Sequence, residues 1–266
     1  PVPSFTVTKL RWLADHEPEN AKRIAAVCLP HDWLTWKIAG EPGLEALVTD
    51  RSDASGTGYM SRKEAEYLHD LLALALRRDD VSDIILPKIL GPWEQAGTGD
   101  PARGWGHLVL GPGCGDNAGA ALGLDLGAGE AMLSLGTSGV VGVISDHSIA
   151  DPTGLVTGFA DATGRWLPLA VTLNASRIID AMMKIIDADY REYDDLALEV
   201  PDAGGLVLLP YFEGERTPNL PEATATLSGM TLANSDRAHV ARAGVEGLLN
   251  LMRYALDAVR ALDVQI

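Results

Sequence analysis

The sequence is poor in cysteine, in positive charge and in long apolar runs. Its two cysteines, Cys28 and Cys114, lie far apart with no paired spacing. That excludes a disulfide scaffold or a cysteine-built zinc site and suits a reducing compartment, the cytoplasm by default. Lysine and arginine number 21 against 37 acidic residues, a formal net charge of -16. Such a surface repels polyanions, and no basic run offers a footprint for a phosphate backbone, so nucleic acid is not an expected partner. The longest apolar stretches, such as Leu71 to Leu76, fall short of the roughly 18 residues that cross a bilayer, and no basic-then-apolar leader opens the chain. No membrane partner is expected. Short-period repeats and low-complexity tracts are also missing. What is present is a 47% hydrophobic composition over 266 residues, enough for one large domain or two smaller ones. The chain opens at Pro1 without Met and stops at Val264, Gln265 and Ile266, an apolar step after a long helical pattern. It reads as a piece of a longer polypeptide.

Apolar spacing predicts helices through the first forty residues, over Val7 to Leu13, Ile24 to Val27 and Trp33 to Ile38. A small-residue turn follows at Asp53 to Gly58, then a helix over Lys63 to Leu76 with Ser61 as N-cap and Glu64 in support. Between Gly91 and Gly106, Gly and Pro break every period. A domain boundary is expected there, dividing the chain into 1–104 and 105–266. Beyond it come a short strand at Leu108 to Leu110, a loop at Gly111 to Gly115, and a helix from Asn117. A hairpin pairs Ala131 to Leu135 with Val140 to Ile144 around Gly136, Thr137, Ser138 and Gly139. A helix over Ala175 to Ile186, a buried strand at Leu206 to Leu209 and a long helix through Val245, Leu248, Met252, Leu256 and Val259 complete the pattern, the last starting near Asn234 or Ser235. Patterning alone supports a mixed α/β chain.

Two segments could carry chemistry. In Gly111-Pro112-Gly113-Cys114-Gly115-Asp116-Asn117 a carboxylate stands between a strand end and a helix start, where glycines let a ligand approach closely. Asp116 is either a base that accepts a proton from an attacking hydroxyl or an ordinary helix cap, and spacing does not choose between them. The loop is neither a Walker A, since no Lys-Ser/Thr follows, nor a Gly-x-Gly-x-x-Gly dinucleotide turn. The hairpin tip at Gly136, Thr137 and Ser138 can present N–H and hydroxyl donors to phosphate oxygens, or can simply be a good turn. His16, His31 and Asp32 could suggest a metal site, but they fall on separate helical segments, where solvated or capping roles are expected, and no metal ligands are assigned. Trp12, Trp33 and Trp36 fit helix packing better than base stacking, because no basic residues interleave them. Arg216 beside Glu215 reads as a phosphate clamp or as a loop-fixing ion pair.

Taken together, these segments resemble the Asp-containing glycine loop and phosphate hairpin of the FGGY family of carbohydrate kinases. Ser4 to His16, through Lys9, Trp12 and Asp15, is similar to the family's first signature, and Ala225 to Glu246, through Gly229, Met230 and His239, to its second. Gly244 stands where the family usually has a larger or hydroxylated residue. The likeness runs from Ser4 to about Leu262. Within the family, the members acting on xylulose are the nearest, on Asn117 after the base, Ser52 to Thr57, and Gly214-Glu215-Arg216-Thr217-Pro218.

The resemblance implies an actin-like, ribonuclease-H-like ATPase fold with two domains around a cleft. It implies an enzyme that uses ATP and Mg2+ to phosphorylate a ketopentose, D-xylulose to D-xylulose 5-phosphate. Gluconate, ribulose or glycerol are alternative acceptors, and a non-catalytic sugar or nucleotide sensor is an alternative of another class. By the same resemblance Asp116 is the base and Asn117 a sugar ligand, while Gly136, Thr137 and Ser138 meet ATP phosphates. Thr172 and Asn174 fall where the family approaches the nucleotide, with an N-cap the other role for Asn174. A homodimer is left open. The family's N-terminal Asp-x-Gly-Thr loop and C-terminal Gly-Gly-Gly-Ala motif do not occur in this sequence.

Overall fold

The structure, a computed structural model, describes residues 3–61 and 66–266. It divides into two compact units. The first takes Pro1–Ala128, Ile144–Ile149 and Gly158–Leu167; the second takes Gly129–Val143, Ala150–Thr157 and Pro168–Ile266.

In the first unit, α1 (Thr6–His16) and α2 (Pro18–Ala21) precede α3 (Pro30–Ile38), β1 (Val48–Asp50) and α4 (Arg51–Ser55). Next come α5 (His69–Leu76), β2 (Lys88–Leu90), β3 (Gly97–Thr98), β4 (Val109–Leu110) and α6 (Asp116–Gly123). Leu10 of α1 packs with Leu72, Ala75 and Leu76 of α5, and Val27, Tyr59, Val81 and Ile84 close the cluster. Each large aliphatic buried there contributes about 2 kcal/mol by leaving water. Three short β segments were not legible as such: β1 pairs β2 in parallel, Val48 to Lys88 through Asp50 to Leu90, while β3 meets β4 antiparallel. The helix expected over Lys63 to Leu76 is observed only from His69, and its start and the supporting Glu64 lie outside the described residues. No helix forms over Ile24 to Val27. Instead Ala26 bridges Ile85, and Val27 N–H donates to the Ile85 carbonyl at 3.0 Å.

The boundary expected at 104/105 is also displaced, because the glycine-rich stretch is hydrogen-bonded to the segment after it. Ala96 N–H donates to Leu110 O at 2.8 Å and Gly99 N–H to Leu108 O at 3.0 Å, so the unit continues to Ala128. Asp116 thereby belongs with the first unit.

In the second unit, β5 (Ala131–Leu135) and β6 (Gly139–Val143) form the expected hairpin. With β7 (Val156–Ala160) and β8 (Trp166–Thr172), whose chains run across the division, they make a four-stranded sheet in the order β5-β6-β8-β7. The β6–β8 ladder runs from Gly139↔Thr172 to Gly142↔Leu169. It stops at Pro168, which has no N–H to donate, and the units divide at the same residue. Next come α7 (Ser176–Ile186), α8 (Tyr190–Glu199), the antiparallel pair β9 (Val207–Leu209) and β10 (Thr226–Ser228), and α9 (Arg237–Arg260). The cap of α9 is Asp236, whose carboxylate accepts the His239 N–H, rather than Asn234 or Ser235. Gly244, unusual for the resemblance, is required here: a Cβ would collide with the Tyr193 hydroxyl, which is buried and donates to Ala241 O at 2.8 Å.

Candidate active site

Within the first unit a cavity of about 220 Å³ opens between α4 and the start of α6. Ser52, Asp53 and Gly56 line one side, Gly115, Asp116, Asn117 and Ala118 another, and Ser4, Phe5, Phe159, Ala160 and Leu167 the rest. Pockets for drug-sized ligands run from about 300 to 1,000 Å³, so this one is on the scale of a small polyol.

Asp116 is exposed, at the first position of α6, with Gly115 as the N-cap. One carboxylate oxygen, Oδ1, accepts Asn117 N–H at 2.8 Å and Asn117 Nδ2 at 3.1 Å. The side chain therefore touches the helix start through one oxygen and still borders the cavity. Asp116 is thus not the N-cap of α6, which Gly115 is without a side-chain cap bond, and Asn117 is oriented by the residue it follows.

The turn before Asp116 lies on a cluster of charge. Asp50 caps α4, its carboxylate accepting the N–H groups of Ser52 at 2.6 Å and Asp53 at 3.3 Å as well as the Ser52 hydroxyl. Ser52 Oγ in turn accepts Gly115 N–H at 2.8 Å. His31 Nδ1 meets Asp53 Oδ2 at 2.5 Å, and its Nε2 faces Asp32 Oδ1 at 3.3 Å and Asp50 Oδ1 at 3.8 Å. Asp32 is 1% exposed and accepts Leu29 N–H through its other oxygen, so it both caps α3 and is buried rather than solvated. His16 stands apart on α1, stacked on Trp12. Trp12 and Trp33 are half exposed, contrary to the packing expected of them, and Trp36 donates to Gly43 O at 2.8 Å.

The His31 imidazole is drawn up from 6.5 to about 9, first by its hydrogen bond to Asp53 and, against the opposing effect of burial, by the charges of Asp32, Asp53 and Asp50. Burial pushes the Asp32 and Asp50 carboxyls upward. A histidine whose folded value exceeds its unfolded one stabilises the fold fully below the unfolded value, and the contribution is lost as pH rises through the folded one. From 6.5 to about 9, at about 1.4 kcal/mol per pKa unit, that is about 3 kcal/mol. Denaturant melts should therefore show stability falling between about pH 7 and pH 10 in the native protein and not in His31→Gln; equal slopes in the two proteins would refute the assignment.

One ligand atom from each of His31, Asp50 and Asp53 lies within 4.8 Å of the others. The imidazolium is itself the cation among these carboxylates, and at 2.5 Å the Nδ1–Oδ2 contact leaves no space for an ion between them.

In the second unit the hairpin tip is exposed at Gly136, Thr137 and Ser138. Gly136 O accepts Ser176 N–H at 2.9 Å. Thr172 and Asn174 are fully buried behind it. Thr172 Oγ1 accepts Gly139 N–H at 3.1 Å and donates to Asn174 O at 2.8 Å. Only glycine fits at 139, since a Cβ would lie 2.5 Å from both Met252 Sδ and Thr172 Oγ1. Asn174 does not cap α7: its side chain donates to Gly214 O at 2.8 Å and Glu215 Oε2 at 2.9 Å. Thr172 and Asn174 thus brace the hairpin and, in this conformation, present no side-chain atom to a ligand. Glu215, also buried, accepts the Arg216 backbone N–H at 2.7 Å; among the described residues it forms no ion pair with the Arg216 guanidinium.

Residues 2–123 match the model of the FGGY family of carbohydrate kinases, N-terminal domain, and residues 131–266 that of its C-terminal domain. The chain is 42% identical over 267 residues to the xylulose kinase of Streptomyces coelicolor, covering 99% of this chain and 52% of that protein. It is 41% identical over 263 residues to the xylulose kinase of Streptomyces rubiginosus, covering 97% and 51%. The crystal structure of xylulose kinase from Bifidobacterium adolescentis superimposes with a TM-score of 0.92 at 50% identity, over 100% of this chain and 57% of that one. The chain spans about half the length of the curated relatives it matches.

Proposed function

Because the chain belongs to the FGGY family of carbohydrate kinases and has that family's actin-like, ribonuclease-H-like fold, we propose that it forms part of an enzyme that transfers the γ-phosphoryl group of ATP to D-xylulose. The product is D-xylulose 5-phosphate. The observation that carries this reading is the polyol-sized cavity with Asp116 and Asn117 on its wall.

Asp116 accepts the proton of the sugar hydroxyl as the oxygen attacks the γ-phosphorus, and Asn117 and Asp53 bind neighbouring hydroxyls. Gly136, Thr137 and Ser138 offer backbone N–H and hydroxyl donors to the phosphates. Such positioning and charge stabilisation are most of what a protein contributes to phosphoryl transfer. Thr172 and Asn174 hold the hairpin from behind. Mg2+ enters as the counter-ion of ATP. It favours an all-oxygen octahedron, which His31, Asp50 and Asp53 do not provide, and no residue of this chain is assigned to it. No helix among the described residues is long and apolar enough to cross a membrane; we place the enzyme in the cytoplasm as part of the same proposal.

A coupled ADP-release screen of the full-length protein over D-xylulose, ribulose, gluconate and glycerol tests the acceptor. D-xylulose should give the highest kcat/KM. Activity at background with D-xylulose but not with another acceptor would remove the substrate assignment, and background with all four would favour a non-catalytic sensor.

A further inference from the structure

We propose that His31 is a positioning residue for Asp116: as an imidazolium held among Asp32, Asp50 and Asp53, it fixes the seat on which the Gly113–Gly115 turn rests and so sets where the base points. The inference rests on the reading of Asp116 as the base.

The turn is fitted to this seat at two glycines. Gly113 has φ +79°, and a Cβ there would lie 3.1 Å from His31 Cδ2 and 3.2 Å from Nε2. Gly115 has ordinary extended angles, yet a Cβ would lie 2.7 Å from Asp53 Oδ1. Glycine is needed there for close approach, not for backbone freedom. Gly115 N–H is also tied to Ser52 Oγ at 2.8 Å, and Ser52 to Asp50. The groups that meet the turn at these two glycines thus belong to the charged cluster or are bonded to it.

His31 is what lets those carboxylates coexist. Asp32 and Asp50 are 1% and 4% exposed, and both face Nε2, while Asp53 takes Nδ1. Among the described residues, His31 Nε2 makes no hydrogen bond of good geometry beyond these ion-pair contacts, and the Asp32 carboxyl is met besides by the Thr49 hydroxyl. With the imidazole neutral, like charges a few ångströms apart repel in a poorly solvated site. Asp53 is the partner free to yield, because it borders the cavity, and when it turns outward the support under Gly115 goes with it. The other ionisable groups around the cluster are Cys28, Cys114, Tyr59 and Tyr67, and burial pushes all four upward, so each charges later than it would in water.

The test uses the full-length kinase. His31→Gln should lower kcat roughly 10- to 100-fold while KM for ATP stays within about two-fold, and His31→Lys should recover part of kcat by restoring a cation. In the native enzyme kcat should fall as His31 loses its proton near pH 9, with the imidazole proton resonance titrating over the same range. His31→Lys should shift that limb upward. Folded His31→Gln with native kcat, or an unchanged high-pH limb in His31→Lys, overturns the proposal. If His31→Gln does not fold, the native profile decides: kcat flat while the imidazole titrates refutes the role. Asp116→Asn measured in parallel separates the two readings. A dead Asp116→Asn beside a native-like His31→Gln sinks only the positioning role, whereas an active Asp116→Asn sinks the base.

Discussion

Replacing Asp116 by Asn should lower kcat of the full-length protein by about 10²- to 10⁴-fold, the contribution typical of one general base, while leaving the fold and sugar binding nearly intact. The reason for the second half is geometric. Asp116 touches its own helix through Oδ1, which accepts from Asn117, and the Asn side chain retains an oxygen that does the same. What it cannot do is take a proton from the attacking hydroxyl. The loss corresponds to about 3–5 kcal/mol of transition-state stabilisation, and it should appear in kcat with the sugar KM changed by less than about three-fold. Asp116→Ala should lose as much turnover and also raise the sugar KM, because Asn117 is then no longer oriented. Steady-state kinetics with a melting curve for each variant check both halves. Unchanged ATP consumption in Asp116→Asn would show that another group takes the proton.

The glycine loop and the hairpin were legible because each is local. A strand end, a run of glycines and a helix start occur within a few residues at Gly111 to Asn117, and the hairpin register from Ala131↔Val143 to Leu135↔Gly139 follows from alternation around one turn. The seat beneath the loop was not. His31 and Asp53 are 22 positions apart, on α3 and α4, and β1, which carries Asp50, is three residues long, too short for any period. One signal was present: Asp50, followed by Arg51, Ser52 and Asp53, is a good N-cap ahead of a helix, whereas a turn was expected there. The cap role considered for Asn174 fails for a similar reason. Its position before α7 is local information, but the acceptors that orient its amide through Nδ2, Gly214 O and Glu215 Oε2, lie 40 and 41 residues on, and its Oδ1 caps no helix N–H. Pro168 in the middle of a sheet argues against a strand on propensity, which is why β8 has no counterpart in the sequence pattern.

Glu215 should prove the most sensitive stability position in the second unit. Its carboxylate is 1% exposed. It accepts Leu173 N–H at 2.5 Å and Arg216 N–H at 2.7 Å on one oxygen, and Asn174 Nδ2 at 2.9 Å and N–H at 3.3 Å on the other. A buried charge that is not ion-paired is held by such convergent donors. Glu215→Ala leaves several of them without an acceptor, at about 1–3 kcal/mol each where water cannot reach. With partial rearrangement the expected loss is about 4 kcal/mol, or roughly 10 °C in Tm for a chain of this size. Glu215→Gln keeps one acceptor oxygen but turns an amide N–H toward Asn174, so it should cost about half as much. Asn174→Ala combined with Glu215→Ala should be clearly less than additive, because both remove the same contact. The consequence reaches the hairpin. Asn174 O orients the Thr172 hydroxyl, which holds Gly139 N–H at the hairpin base. With Gly136 to Ser138 as the phosphate cradle, KM for ATP in Glu215→Gln should rise several-fold at temperatures well below its melting point, with the sugar KM little changed. A Glu215→Ala protein that melts within about 2 °C of the native one would mean that water or a shifted side chain satisfies those donors, and that the carboxylate does not organise the segment.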